Sequence, residues 1–488
     1  MNTFLYIQSI SLVCLLLAIA FSTRSVHAGP QQEAQSDFNA VDEYINTEMK
    51  RLGIPGIALG IVEDNEPVHL QGFGIADSLG RSVTPQTPFY IGSVTKSFTA
   101  LAIMQLVEAG KIELDAPVQQ YISWFELADK EAAAKITVRH LLNQTTGISE
   151  KVGNSVWSSQ KGVEEFVRDH KTTLVTHSVG TKNEYSNLNY TIAGLVIEKV
   201  TGQSYAEYIA QHILEPLDMR HSYTSRELAL TDDLSEGHYY MFGHAFAGVG
   251  PLPPADLPSG LLMSSVEDMT HYVIVHLNDG QYRENSIVSP QGIAELHDPG
   301  LPMKNPDLHY AMGWGVGSFD GMPLLRHSGD TAYFHSMVIL LPENDLGIIL
   351  LANASGFEQL QQIDEIAMNV AGMLIGKSSP ERVVLPFMLR TLYWGILLMP
   401  LLQLIGIGRG LVLWQNGVTS APWQVIVTMI LNLAIAFFFF LKIPGLIPFS
   451  LSSMRVYYPE IAYGLMMGGV LGLAWSIIYP ILHFFARK

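Results

Sequence analysis

The sequence predicts an α+β domain built on an antiparallel sheet, followed by a bundle of about three membrane-spanning helices. Three observations carry this. Helix-like and strand-like apolar spacings are interleaved between residues 38 and 380. Strand-like pairs stand at both ends of that stretch. Beyond residue 381 the charge balance and the apolar content change abruptly.

Phe38, Val41, Ile45, Met49 and Leu52 fall on one helical face, and Gly53 with Pro55 ends the helix. Residues 57–62 and 68–75 follow as two short strands around the turn-like Glu63-Asp64-Asn65-Glu66. Near the other end, residues 337–341 and 346–351 flank Pro342-Glu343-Asn344-Asp345 and read as a second hairpin. Helical segments fill the middle, with no internal repeat. Strands from both ends are therefore expected to form one antiparallel sheet.

Residues 391–408, 423–441 and 461–485 contain no Lys, Arg, Asp or Glu. Each is long enough to cross a hydrocarbon layer of about 30 Å at roughly 1.5 Å per helical residue. Of the 28 Lys and Arg and 45 Asp and Glu, residues 382–488 hold seven and one, leaving 21 and 44 before them. The front of the chain thus carries −23 and the tail +6. Such an acidic front excludes a nucleic-acid partner, since phosphate contacts need clustered cations. At the N-terminus the apolar run 10–21 and the small-residue site Val26-His27-Ala28 read as a signal peptide over residues 1–28. The sole cysteine, Cys14, lies in that run, so neither a disulfide framework nor a thiolate metal site is expected. Exported by the signal, residues 29–380 lie outside the cytoplasm, and three spans over 381–488 return Lys488 to it. The positive-inside rule does not decide between orientations, because Arg382, Arg390, Lys442 and Arg455 fall on one side and Arg409, Arg487 and Lys488 on the other.

Within Phe89-Tyr90-Ile91-Gly92-Ser93-Val94-Thr95-Lys96, which runs on as an apolar helix to Glu108, Ser93 is placed at a helix N-terminus. Positions three apart share a face, so the Lys96 amine reaches the Ser93 hydroxyl, and the helix dipole favours a developing alkoxide. A serine beside a base is what a covalent intermediate requires. The spacing alone arises about once by chance in such a chain, and Ser158-Ser159-Gln160-Lys161 is a second match, in a polar stretch with no apolar helix behind it. Tyr185-Ser186-Asn187 precedes another apolar helix. There a phenol near an ammonium can serve as general base and the amide can orient substrate and lysine. Tyr44-Ile45-Asn46 repeats that spacing on an amphipathic helix, where packing explains it. His327-Ser328-Gly329, followed by Asp330, reads as a strand lining a cleft, where glycine lets a ligand backbone come close and strand amides hold an oxyanion.

Ser93-x-x-Lys96, Tyr185-x-Asn187 and His327-x-Gly329, in this order, resemble the three motifs of class C β-lactamases and related serine peptidases and esterases. The flanks Ile136-Thr137-Val138-Arg139-His140, Thr146-Gly147, Pro258-Ser259-Gly260-Leu261 and Met312-Gly313-Trp314-Gly315 are similar too. The resemblance covers roughly residues 38–355. It implies a β-lactamase/transpeptidase-like fold, a sheet flanked by helices beside an all-helical lobe, with the cleft between them. Ser93 is then the nucleophile, Lys96 and Tyr185 move its proton, and the backbone amides of Ser93 and Asp330 form the oxyanion hole. Asn187, His327, Ser328 and Gly329 bind substrate, and no metal or organic cofactor is needed. The resemblance leaves open which of Lys96 and Tyr185 is the base. His327 stands where lysine is commoner. A neutral imidazole pulls less on a substrate carboxylate, which weakens the expectation of β-lactamase activity proper, and protonation toward pH 6 is expected to strengthen the pull.

Three readings follow for function. One is a membrane-tethered hydrolase acting on D-amino-acid wall peptides, esters or β-lactams. Another is a wall-peptide-binding or sensing module with little turnover. In the third the tail is primary and the exported domain only binds a partner. Intact Ser93, Lys96 and Tyr185 favour the first, and the scarcity of polar residues in the spans (Gln403, Asn432 and His483) counts against transport.

Overall fold

The computed structural model describes residues 38–357, 359–377, 387–418, 420–443 and 450–485. The expected signal peptide, with Cys14, lies outside the described residues. Helix α1 (Phe38–Leu52) buries Val41, Ile45, Met49 and Leu52, the predicted face. Strands β1 (Gly56–Glu63) and β2 (Glu66–Gly74) follow as a hairpin. Toward the other end come β3 (His309–Tyr310), β4 (Gly315–Phe319), β5 (Met322–Thr331), β6 (Phe334–Leu341) and β7 (Leu346–Ala352). They form a seven-stranded antiparallel sheet in the order β2-β1-β7-β6-β5-β4-β3. β1 pairs with β7, Ile57 opposite Ala352 and Glu63 opposite Leu346, so the two ends of the domain meet in one sheet as expected. All seven residues of β7 are buried, because both faces of the sheet are covered. On one face α1 and α5 (Gln359–Leu374) pack, and on the other α4 (Val266–Leu277).

The helical lobe is centred on α2 (Thr95–Glu108) and α3 (Asn187–Thr201). Neither has a polar face: α2 buries 11 of its 14 residues, and α3 buries every residue from Asn187 to Ile197. Helices apolar all round belong in an interior. The Thr99 hydroxyl donates to the Pro258 carbonyl at 2.7 Å, tying α2 to the turn at 258–262.

Helices α6 (Phe387–Gln415) and α9 (Pro459–Phe485), with α7 (Pro422–Phe437) and its wider-wound continuation to Lys442, contain the three predicted apolar stretches. Each is long and apolar enough to cross a membrane. Leu401, Ile405, Phe437 and Ile477 are exposed along them, as lipid-facing side chains would be. The tail is not detached from the α+β domain. Glu460, its one acid, accepts from the backbone N–H of Phe242 at 2.8 Å and from the Tyr393 hydroxyl. Phe357 stacks on Tyr393 with ring centroids 5.7 Å apart.

Candidate active site

Ser93 lies in a single 3-10 turn, Gly92–Val94, from which α2 continues at Thr95. The serine thus stands in the turn that leads into the α-helix, at the helix N-terminus where the sequence placed it, and Lys96 shares its side. Lys96 Nζ donates to Ser93 Oγ at 3.0 Å, to Asn187 Oδ1 at 2.8 Å and to the Ser259 carbonyl at 2.7 Å. The lysine is wholly buried. Asn187 opens α3, and Tyr185 stands two residues before it with its ring 4.8 Å from Nζ, lining the same cavity as Ser93. The sequence motifs therefore converge on one point.

His327, Ser328, Gly329 and Asp330 lie on β5 as expected. β4 pairs with β5 only as far as Arg326, while β6 stays paired through Thr331. On the side toward Ser93 the backbone edge of 327–330 has no strand partner among the described residues. A cavity of about 270 Å³ opens there, lined by Ser93, Tyr185, Tyr310, Arg326, His327 and Asp330 among others.

Gly329 has a use besides the one expected of it. A Cβ there would stand 2.1 Å from the Ile91 carbonyl oxygen, and a Cβ on Gly92 would stand 2.7 Å from the Asp330 nitrogen. The chain's own turn at Ile91-Gly92 comes close to Gly329. Gly92 also has φ +52, a conformation that side chains disfavour. The two glycines together bring the Asp330 N–H beside the Gly92-Ser93 turn.

Burial lowers Lys96 to about 7, against the opposing pull of the Asp256 carboxylate. Asp256 is buried too, and burial raises it to about 7 although Ser259 donates to one of its oxygens. The charge of each group shifts the other's affinity for protons. Burial also pushes the Tyr185 phenol well above its ordinary value, with only the Ser93 side chain opposing it. A phenolate is therefore disfavoured, and of the two bases left open by the sequence Lys96 is the better placed. Its neutral amine has two N–H groups for Asn187 Oδ1 and the Ser259 carbonyl, which turns the lone pair toward Ser93.

His327 is held at about 3, first by burial and then by the Lys96 charge. Nδ1 lies 2.7 Å from the Ser328 carbonyl and must donate to it, so Nε2 is the acceptor for the Tyr310 hydroxyl at 3.3 Å. A gain of charge toward pH 6, expected from the sequence, does not follow. The imidazole is too deeply buried to protonate there.

Behind Asp330 stands His335, its cross-strand partner, with Nε2 2.8 Å from Asp364 Oδ1. Ser355 Oγ donates to Asp330 Oδ1 at 2.5 Å. Burial alone would lower His335, but the Asp364 and Asp330 carboxylates outweigh it and hold it at about 9. Its folded value exceeds the unfolded one, so its stabilisation is full below about 6.5 and disappears as pH rises through about 9. The upper bound is on the order of 3 kcal/mol. Asp330 subtracts from this, since burial raises it in spite of the imidazolium. Melting temperatures of the detergent-solubilised chain are expected to fall between pH 6.5 and 9, and to lose most of that slope in His335→Asn. An equal slope in both proteins contradicts the assignment.

The second S-x-x-K is excluded by geometry. Lys161 Nζ pairs with Asp169 at 2.5 Å and Glu165 at 3.1 Å, and Ser158 Oγ donates to the Ser155 carbonyl. Tyr44 and Asn46 bond to Asn369 and Asp42 on and around α1, far from the nucleophile in the fold. Sequence reasoning missed Asp256 as a charged neighbour of Lys96 and missed the Ser259 carbonyl. Only the quoted flank Pro258-Ser259-Gly260-Leu261 pointed near them.

A family model described as Beta-lactamase matches residues 41–373, more than half the chain. The chain belongs to the beta-lactamase family. Among its relatives, Protein flp of Staphylococcus aureus (strain MW2) is 30% identical over 322 residues, 64% of this chain and 62% of that protein. This beta-lactamase-family chain thus spans less than two thirds of the length of the first curated relatives it matches. Penicillin-binding protein 4 of Amycolatopsis lactamdurans is 26% identical over 339 residues, 67% of this chain and 88% of that protein. A solved structure, the octameric penicillin-binding protein homologue from Pyrococcus abyssi, superposes with a TM-score of 0.64 at 30% identity, covering 74% of this chain and 82% of that one. The expected fold is confirmed by this match.

Proposed function

We propose that the chain is a membrane-tethered serine hydrolase that works through an acyl-enzyme on Ser93. The observation that carries this is the pair of acceptors at Lys96, Asn187 Oδ1 and the Ser259 carbonyl, which take the two N–H groups of the neutral amine and leave its lone pair for Ser93 Oγ, 3.0 Å away. Ser93 Oγ attacks the acyl carbon as its proton passes to Lys96, and the carbonyl oxygen gains the electron pair between the backbone N–H groups of Ser93 and Asp330. Tyr185 passes its proton to the leaving amine or alcohol as the bond to it breaks and takes up in turn the proton that Lys96 received from Ser93, so that the phenol and the neutral amine are both restored. Water then attacks the ester by the reverse route, releasing the acid and restoring Ser93. Asn187, Ser328 and the edge of β5 around Gly329 hold the substrate.

The substrates proposed are amides and esters of small peptides or acyl compounds, D-amino-acid wall peptides and β-lactams among them. The domain and the segment between the second and third apolar helices lie on one side, as three consecutive crossings of a lipid bilayer require. With an N-terminal signal that side is extracytoplasmic. Gel labelling with a fluorescent penicillin and, in parallel, a fluorophosphonate tests the reading. A penicillin adduct that persists, with no turnover of any ester, favours the binding or sensing module instead.

Specificity is testable at His327. His327→Lys carries an amine past the buried imidazole position toward the cavity that His327 lines, where it can hold a positive charge. It is expected to raise kcat/KM for penicillin-like or D-alanyl substrates relative to a neutral ester by roughly tenfold, equivalent to about 1.4 kcal/mol. The wild-type ratio between the two substrates is expected to stay flat from pH 7 to 6. Equal effects on both substrates show that specificity is set elsewhere.

A further inference from the structure

Between the second and third apolar helices lies a short helix, α8 (Leu451–Tyr457). It does not hang free at the membrane surface. Tyr457 joins the same apolar core as Val94, Phe98 and Leu188, and its ring meets Trp157 edge to face at 4.8 Å. Ser453, itself buried, donates to the Asn154 carbonyl at 3.2 Å. The Asn154 side chain in turn accepts from Asn187 Nδ2 at 3.3 Å, and the other end of that amide accepts from Lys96. The packing along this route is tight, since a Cβ on Gly153 would stand 2.4 Å from the Asn187 nitrogen. A second observation agrees. Burial drives the Tyr457 hydroxyl well above its ordinary value, and the Asp256 and Asp330 carboxylates, which flank the nucleophile, add to the effect.

We propose that α8 is a positioning element of the active site, seating the Asn187 amide on Lys96 through Asn154 and closing that side of the site with the Tyr457 ring. The inference rests on the hydrolase reading above. A catalytic domain of this family needs its lysine dry and its amide fixed. Here part of that support comes from the membrane tail. The groups that face Lys96 from the surrounding elements are Asp256, Tyr185, Tyr190 and His327. None of them is on α8, so α8 acts by excluding water and by holding Asn187 still.

The test is the rate of fluorophosphonate labelling at Ser93, as a function of pH, in the full-length protein in lipid nanodiscs. Tyr457→Leu is expected to slow labelling about tenfold or more. It should also move the acid limb to higher pH, because water admitted beside Lys96 restores its proton affinity. Tyr457→Phe keeps the ring and is expected to restore both the rate and the midpoint. Ser453→Ala, too small a change to unfold the chain, is expected to shift the limb in the same direction by less. A purely structural role would lower the labelled fraction and leave the midpoint in place, and that result overturns the proposal. So does a wild-type rate and midpoint in both Tyr457→Leu and Ser453→Ala. A wild type that never labels at Ser93 fails earlier and removes the hydrolase reading along with it.

Discussion

Ser93→Ala is expected to abolish the covalent adduct and to lower turnover of an activated ester by about 10⁴-fold or more, while Ser158→Ala leaves both unchanged. Both serines precede a lysine by three residues, so spacing cannot tell them apart. Their surroundings can. Lys96 makes no salt bridge among the described residues, is buried to the point that its ammonium is barely favoured at neutral pH, and lies 3.0 Å from its serine. Lys161 is exposed, and its ammonium is held by Asp169 and Glu165, which raise its affinity for the proton. An ammonium so held accepts nothing from a hydroxyl. Mass spectrometry of the protein after reaction with the ester locates the adduct, and an adduct on any serine other than Ser93 sinks the assignment.

The strands and helices nearest the ends of the domain were readable because their signals are local. The α1 face recurs at helical spacing, and the hairpin at 337–351 is two apolar runs on either side of a turn that contains Pro342 and the left-handed Asp345. The three motifs were readable because nucleophile, base and amide each demand a particular side chain. What stayed hidden acts through backbone or through burial. Ser259 holds Lys96 by its carbonyl, a group every residue carries. Asp256 looks like any loop aspartate until tertiary packing removes its water. His327 was legible as a position but not as a charge, since the depth of its burial is set by Tyr310 and Tyr185, far away in sequence. Gly329 was legible as a close approach, but the turn at Ile91 that approaches it was not legible. The tail showed its length and apolarity plainly, whereas its grip on the domain depends on single contacts such as Glu460 with Phe242, which no composition reveals.

The same reasoning makes Lys96→Arg a sharp test, because it preserves the positive charge and destroys the base. A guanidinium does not deprotonate in the range where the protein is folded, so it has no lone pair to offer Ser93. Loss of general-base assistance is expected to cost about 10²- to 10⁴-fold in acylation. If the role of Lys96 is electrostatic alone, the arginine variant retains most of the activity, and that result rules out the base assignment. The pH profile adds a second readout. Acylation requires neutral Lys96, so the wild-type rate should climb with pH through a midpoint near 7, the value to which burial lowers the amine. Asp256 opposes that lowering with its negative charge. Asp256→Asn removes the charge, favours the neutral amine further, and is expected to move the midpoint below that of the wild type. An upward shift, or none, means that Asp256 does not act on Lys96 through its charge. Tyr185→Phe serves as the comparison. Tyr185 stays protonated throughout this range, so its removal should lower the rate at every pH and leave the midpoint where Lys96 and Asp256 set it.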